Sequence, residues 1–417
     1  MKTAISCFGF FLAAAAHAVE PAAASPDLPP NDMVARILQA APTVQEAGSL
    51  VRVEEANRTR LEAGHYEWNV RLTGQRRRVE APDAPVGRFY EQGAAIERTI
   101  RLPGKAELDA ELGAKGVESA EWAHGDARHE ASRGLLKAWF AWLRESASAQ
   151  QWTSQVGLLE QNAKQLVRRG QLGDAARVES VLAEAAFAQA EAQLAQARVR
   201  ERTAAEELRR RYPGLPLPTG VKLSVPEAVG EGEAEWVAAI LEHNHELGLA
   251  RSEAQRAQVA ASRSSRDQLP DPTLGMHVMR ERGGEEHIFG VSLTIPLAGK
   301  ARRAGADAAL AQAAAASSRE AAALQKVTTE AATLYYTAQS ARASWESSRL
   351  AAERLTQAAD MTARAYQLGE GNLSDLLTTR RLANEAQLAA RLAQLEALEL
   401  RYRLLLDAHR LWVFDTH

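Results

Sequence analysis

Two hydrophobic periods divide the chain. In "HYEWNVRLTG" (65–74), Trp68, Val70 and Leu72 alternate with Glu67, Asn69, Arg71 and Thr73. In "PTLGMHVMRE" (272–281), Leu274, Met276 and Val278 alternate with Thr273, Gly275, His277 and Met279. In "HIFGVSLTIPL" (287–297), Phe289, Val291, Leu293 and Ile295 alternate with Gly290, Ser292 and Thr294. Ile96, Ile100 and Leu102 fall in phase near the end of "RFYEQGAAIERTIRL" (88–102). A period of two gives a strand one apolar and one polar face. The pattern predicts strands at 65–79, 88–102, 272–281 and 286–297, in two hairpins turned by "EAPDAPVG" (80–87) and "RGG" (282–284). Lengths of about ten residues suit tilted outer-membrane strands.

Elsewhere the period is helical. Helices are predicted at 31–63 and 227–266, long helices at 105–169 and 302–368, and closing helices at 175–211 and 376–411. At about 1.5 Å per residue, each long helix is a rod of about 100 Å. Leu324, Val327, Ala331, Leu334, Leu355 and Ala358 keep a spacing of three or four that forms a narrow seam. An ordinary coiled-coil stalk would share this pattern. It would not need the strands.

The pattern is duplicated. "RLPGKA" (101–106) matches "PLAGKA" (296–301), "GQLGD" (170–174) matches "GNLSD" (371–375), and "APTVQEA" (41–47) parallels "NHELGLA" (244–250). Three collinear pairs favour duplication over coincidence. Pro213, Pro216, Pro218 and Pro226 forbid a continuous helix between the halves. The predicted organisation is a first repeat at 19–210 with its helical hairpin at 105–210, and a proline-rich linker at 211–226. A second repeat follows at 227–411 with its hairpin at 302–411, and then a tail at 412–417.

Composition narrows the class. A net charge of −3 over 417 residues offers no bulk nucleic-acid binding surface. Few aromatics beside abundant alanine, leucine, glutamate and arginine suit closely packed helices. Lys2, the apolar run "ISCFGFFLAAAA" (5–16) and "AHA" (16–18) read as a signal peptide over residues 1–18. Cys7, the only cysteine, lies inside it, so the mature chain is expected to hold no disulfide, thiol nucleophile or cysteine metal site. The fold class is mainly α with a small β part. Four strands cannot close a barrel, and open strand edges are not tolerated in lipid. The strands therefore either pack on something soluble or join those of other chains. Three chains would supply twelve, an even number within the range of known barrels.

Two segments carry a family resemblance: "GVSLTIPLAGKARRA" (290–304) and "AYQLGEGNLSDLLTTRRLANEAQ" (365–387). "ILEHNHELGLARSEAQRA" (240–257) adds to it, with His245 where the family usually has proline. With the repeat order, these resemble the TolC-type outer-membrane factors, the exit ducts of tripartite efflux pumps and type I secretion systems. The resemblance spans the mature chain and is weaker in its first half. It implies a homotrimer in the cell outer membrane, with a twelve-stranded β-barrel above a periplasmic α-helical tunnel. The implied partners are a periplasmic adaptor, an inner-membrane resistance–nodulation–division pump and outer-membrane lipid. The two five-residue motifs become tip turns of helical hairpins.

At those tips, Gly170, Gly369 and Gly371 are the expected turn glycines, with Gly170 and Gly371 able to take a positive φ. Asp174 and Asp375 fall where the returning helices begin, and a carboxylate there can cap free N–H groups and meet the helix dipole. In a trimer, each aspartate would recur three times around the mouth and favour cations. By resemblance, Asp375 and Asp174 line the constriction, Tyr366 helps to hold it shut, and Thr378 stands where a second acid is common. An arginine that some members carry at the position of Gly371 is missing, with Arg168 or Arg169 as the nearby substitute. Trp68, Val70, Leu72, Phe289, Val291, Leu293 and Ile295 are the predicted lipid-facing positions.

No phosphate loop, nucleophile elbow or HExxH motif occurs, so no catalytic, cofactor or metal site is expected. His243 and His245, two apart, do not share a helix face, and His124 and His129 read as solvated on a polar helix. "QRRRV" (75–79) is a basic patch at a strand end, facing lipopolysaccharide phosphates or solvent. The expected function is passive export, with heavy-metal cations the favoured cargo because "PLAGKARRA" (296–304) resembles the cobalt–zinc–cadmium branch. Drug efflux or a type I secretion duct is the alternative. A soluble periplasmic coiled-coil adaptor is the second, although it would need a lipoyl-like β domain after the coil. An enzyme or scaffold on a helical repeat is the third.

Overall fold

The computed structural model describes residues 25–81 and 84–413; the predicted signal peptide, with Cys7, and the end of the tail lie outside them. One order of elements occurs twice. The first set is α1 (Asn31–Gln39), α2 (Pro42–Ala63), β1 (Trp68–Ala81), β2 (Ala84–Thr99), α3 (Lys105–Gln171) and α4 (Arg177–Arg211). The second is α5 (Glu233–Glu242), α6 (His245–Arg266), β3 (Thr273–Glu281), β4 (Glu286–Thr294), α7 (Lys300–Gln367) and α8 (Leu373–Asp407). At 67 and 68 residues, α3 and α7 are rods of about 100 Å. Gly104 and Gly299 stand immediately before them.

The single helices expected at 31–63 and 227–266 are each broken in two. Pro42 opens α2, where its missing N–H costs nothing. Asn244 caps α6 by accepting the Leu247 N–H at 2.8 Å. The break falls at the same place in both repeats. The irregular segment after α4 also runs on to α5, beyond the expected limit at residue 226.

The strands form one antiparallel sheet in the order β1-β2-β3-β4. Its register stacks three rows on one face, apolar but for Arg98: Trp68–Arg98–Leu274–Leu293, Val70–Ile96–Met276–Val291 and Leu72–Ala94–Val278–Phe289. Ile295 follows β4 directly and is exposed. These side chains are exposed, Leu72 at 79% and Phe289 at 71%. The opposite face carries Gln75, Arg77, Glu91 and His277 and is partly covered, with Glu91 buried in an ion pair to Arg77 (3.0 Å). Among the described residues, β1 and β4 are edges without a further partner strand. A register shift between Val79 and Ala81 bends β1 near its end.

Near the sheet, α3 packs between α2 and α6, tied by Arg263–Asp109 (2.5 Å) and Ser119–Ser252 (2.7 Å). Farther along, α3 packs on α4 and α8, with Gln151 donating to Asn384 and Gln387 at 2.9 Å each. Among the described residues, no helix is long and apolar enough to cross a membrane.

The main core lies midway along the rods. Leu135, Leu136, Trp139 and Phe140 of α3 meet Leu208 of α4, Leu395, Leu398 and Tyr402 of α8, and Val34 and Leu38 of α1. Leu215, Leu217, Val221 and Leu223 of the linker strap across it. Asp27 is fully buried there. Its carboxylate accepts from Ser25 (2.7 Å), Tyr402 (2.7 Å) and Ser224 (2.6 Å), and its carbonyl accepts the Trp139 indole N–H (2.8 Å). One carboxylate therefore joins the N-terminal segment, the linker and α8. Asp27→Ala would remove the shared acceptor of the Tyr402 and Ser224 hydroxyls, leaving Tyr402 only Ser25 (2.6 Å), at about 1–3 kcal/mol in all. A lower unfolding temperature and faster proteolysis of the linker are expected; an unchanged linker digestion rate would contradict this role.

Candidate functional site

Each long hairpin ends in a tight turn, and the two turns are built alike. After α3, Gly173 N–H donates to Gly170 C=O (3.1 Å) and Asp174 N–H to Arg169 C=O (2.9 Å). After α7, Gly369 N–H donates to Tyr366 C=O (3.1 Å) and Glu370 N–H to Ala365 C=O (2.9 Å). The left-handed residues are Gly173 (φ 83°) and Gly369 (φ 80°). The wider hydrogen bond and left-handed glycine are the usual way to satisfy final helix carbonyls. Both returning helices begin three residues farther on, at Arg177 and Leu373.

This geometry shifts the frame of the repeat. The turn at 170–174 superposes on "YQLGE" (366–370), not on "GNLSD" (371–375). Gly170 is helical and Gly371 has no positive φ, so neither plays the expected part; of the three expected turn glycines, only Gly369 does. Gly371 answers to packing instead, since a Cβ there would sit 3.3 Å from the Tyr366 backbone nitrogen. Asp174 corresponds to Glu370, and Asp375 to Glu179.

The capping roles change too. Asn372 is the N-cap of α8, accepting the Asp375 N–H at 2.8 Å and donating its amide to the Asp375 carboxylate at 2.8 Å. Asp375 lies inside the first turn, exposed, where its charge still meets the positive helix end. Asp174 caps nothing: α4 starts after Ala176 without a side-chain cap. Its carboxylate is held by Arg169 Nε (3.0 Å), and its carbonyl by the same guanidinium (3.1 Å). Of the two candidate substitute arginines, Arg169 is the one engaged.

The tips share a small core of Ala163, Leu166, Ala183, Ala363, Leu373 and Leu376, with Tyr366 and Phe187 packed on it. Tyr366 is half-buried between the hairpins. Burial pushes its phenol up, the Glu179 carboxylate adds to this, and Arg169 opposes it. Arg169, Asp174, Glu179 and Tyr366 thus form one network linking the first hairpin tip to the second. Thr378 lies one turn beyond Asp375 and is exposed. Glu179 was missed because the pentapeptide match set the repeat out of frame; the shorter match "QLG" (171–173 and 367–369) was the available signal.

A second cluster also escaped the sequence pattern. His129 of α3, His245 at the start of α6, and His409 beyond α8 have ring centroids 5.0–6.0 Å apart, and His243 lies 5.5 Å from His409. His129 is not solvated as expected: its Nε2 lies 3.2 Å from Asp407, which also accepts from Arg133 at 2.8 Å. Nor is His124, which is half-buried against Gly48 of α2. Burial raises the Asp407 carboxyl, but the bonds from His129 and Arg133 outweigh it and hold it below the ordinary carboxylate range. Among the described residues, no three such groups are placed to hold a metal ion.

Comparison with known proteins agrees with this architecture. Residues 236–405 match the family described as outer membrane efflux protein. The fold is similar to the outer membrane protein VceC of Vibrio cholerae, with a TM-score of 0.75, 17% identity, and 91% of this chain and 95% of that one covered. It is similar to the open state of the MtrE outer membrane channel of Neisseria gonorrhoeae (TM-score 0.70, 17% identity, 92% and 89% covered). It is also similar to the CmeC outer membrane channel of Campylobacter jejuni (TM-score 0.70, 13% identity, 92% and 85% covered). A search of curated protein sequences gives no match. The second half of the chain thus resembles the outer membrane efflux proteins, and the chain as a whole has the fold of these channels.

The corrected turn assignment separates three glycines. Gly173→Ala and Gly369→Ala each force a left-handed alanine and should cost about 1–2 kcal/mol. Gly170→Ala, in a helix where a Cβ would meet only the Ala175 carbonyl oxygen at 3.9 Å, should be neutral or stabilising by up to about 1 kcal/mol. Denaturant unfolding of the three variants would overturn the assignment if Gly170→Ala were the most damaging.

Proposed function

We propose that the protein is the outer-membrane exit duct of a tripartite efflux system. It works as a homotrimer that passes cargo passively from an inner-membrane resistance–nodulation–division pump and a periplasmic adaptor to the exterior. The observation that carries this reading is the sheet: four strands, two open edges, and one exposed apolar face in rows. Lipid penalises every unpaired backbone group, so β1 and β4 need partners, and three copies closing edge to edge provide them. The rods attach to the strand ends at Trp68, Thr99, Thr273 and Thr294, so the closed sheet would stand on a tube of helices.

The tip supports a cation-preferring mouth. Asp375 and Glu179 sit in corresponding first turns, and in a trimer they would give six carboxylates around the opening, with Asp174 held back by Arg169. Tyr366 and Arg169, bridging the two hairpins, are the groups that would resist their separation. Thr378, uncharged, would leave the ring one acid lighter in each chain. Heavy-metal cations are the cargo favoured by the resemblance of "PLAGKARRA" (296–304) to the cobalt–zinc–cadmium branch. A strain lacking the protein would then become sensitive to those ions; sensitivity to drugs alone, or loss of a secreted protein, would replace the cargo while keeping the duct.

Asp375→Ala should reduce the cation preference of single channels in a planar bilayer while trimer mass stays the same; unchanged reversal potentials would remove the ring from the account. Val291→Arg places a charge in the middle apolar row and should cost about 2–4 kcal/mol per chain. Normal outer-membrane levels of that variant would mean that this face does not meet lipid.

A further inference from the structure

We propose that the outward face of the sheet, above its apolar rows, binds the phosphate groups of an anionic glycolipid in the outer leaflet through Arg76, Arg78, Arg88 and Arg280. The proposal rests on the outer-membrane placement of the sheet. Register puts these arginines on the same face as Val70 and Phe289. Above the Leu72–Ala94–Val278–Phe289 row comes Gly74–Gln92–Arg280–His287, then Arg76–Tyr90, then Arg78–Arg88. Successive rows are about 7 Å apart along a strand, so the face turns from apolar to cationic within one or two rows.

The end of the sheet is fixed by the chain. The helices join the strands at the opposite end, so with the rods in the periplasm the arginines lie toward the exterior. Arg77, in the same basic run, belongs elsewhere: it faces the other side and is consumed by Glu91 (3.0 Å) and Glu281 (2.8 Å). On the outward face, Arg78 has Glu80 at 2.5 Å. Among the described residues, no acid pairs with Arg76, Arg88 or Arg280. The Arg76 guanidinium lies 5.8 Å from the centre of the Tyr90 ring, which orients it along the surface.

Arg78 and Arg88 are also directly opposite each other. Like charges at that spacing repel across a sheet. A phosphate between them would turn repulsion into paired, forked hydrogen bonds, for which guanidinium is the best-shaped donor. A lipid bearing phosphates at its sugar headgroup and several acyl chains matches both parts of the face. The phosphates meet the arginine rows, and the chains lie along Leu72, Val278 and Phe289. A soluble anion would use only the first part.

The test uses the full chain in phosphatidylcholine vesicles, with and without lipid A. Lipid A is expected to raise the unfolding temperature and to stay bound through detergent extraction, measured as retained phosphorus. Arg76→Gln/Arg88→Gln/Arg280→Gln should lose about tenfold in lipid A affinity, and the matching lysine triple variant should keep most of it, with trimer mass the same in both. Equal retention by wild type and the glutamine variant would overturn the proposal, as would equal stabilisation by inorganic phosphate or phosphatidylglycerol. Failure of the wild type to float with phosphatidylcholine vesicles would instead overturn the membrane placement on which it rests.

Discussion

An unpaired backbone N–H or C=O cannot be left in hydrocarbon, and the proposed assembly of this structure rests on that constraint. A sheet of four strands with two free edges and one exposed apolar face satisfies lipid only when other strands complete it. The duplication halves the problem, because two similar hairpins can pair with each other at β2 and β3 as they would pair with another copy at β1 and β4. The same logic extends downward. α3 is flanked by α2 and α6 near the sheet and by α4 and α8 farther on, whereas α7, its counterpart, leaves one flank open. A neighbouring chain would cover that flank in the proposed trimer.

The middle of the molecule is organised differently. There the burial is ordinary, with large apolar side chains, a linker strapped across the helices, and a buried aspartate that ties three segments. It gives each chain a core of its own, which lets long rods hold their register before any assembly. The sheet and the tips, by contrast, expose groups whose partners lie outside the chain. The division between a self-sufficient middle and dependent ends is what a duct assembled from separate chains requires.

Much of this was legible in the sequence, for identifiable reasons. Strand alternation at Trp68–Leu72 and Phe289–Leu293 was clear because one face is apolar and the other is not, and the side-chain period in a strand is strict. The long helices were clear because nothing within them breaks the period. The helix breaks at Pro42 and Asn244 were overlooked because the apolar period runs across them, although a proline and a capping asparagine are both break signals. The tip was misframed because "GNLSD" imitates "GQLGD" in letters while the left-handed conformation sits at Gly173 and Gly369. The histidine cluster was invisible, as it joins α3, the α5–α6 junction and the end of α8, which only tertiary packing brings together.

The central claim is that three copies close one barrel over one tunnel. Its most direct test is the mass of the protein extracted from outer membranes, taken together with its single-channel current in a planar bilayer. The account predicts a trimeric species with a small, cation-selective conductance. A soluble periplasmic species without conductance would contradict it, and the sheet would then have to pack its apolar rows against a protein surface instead of lipid.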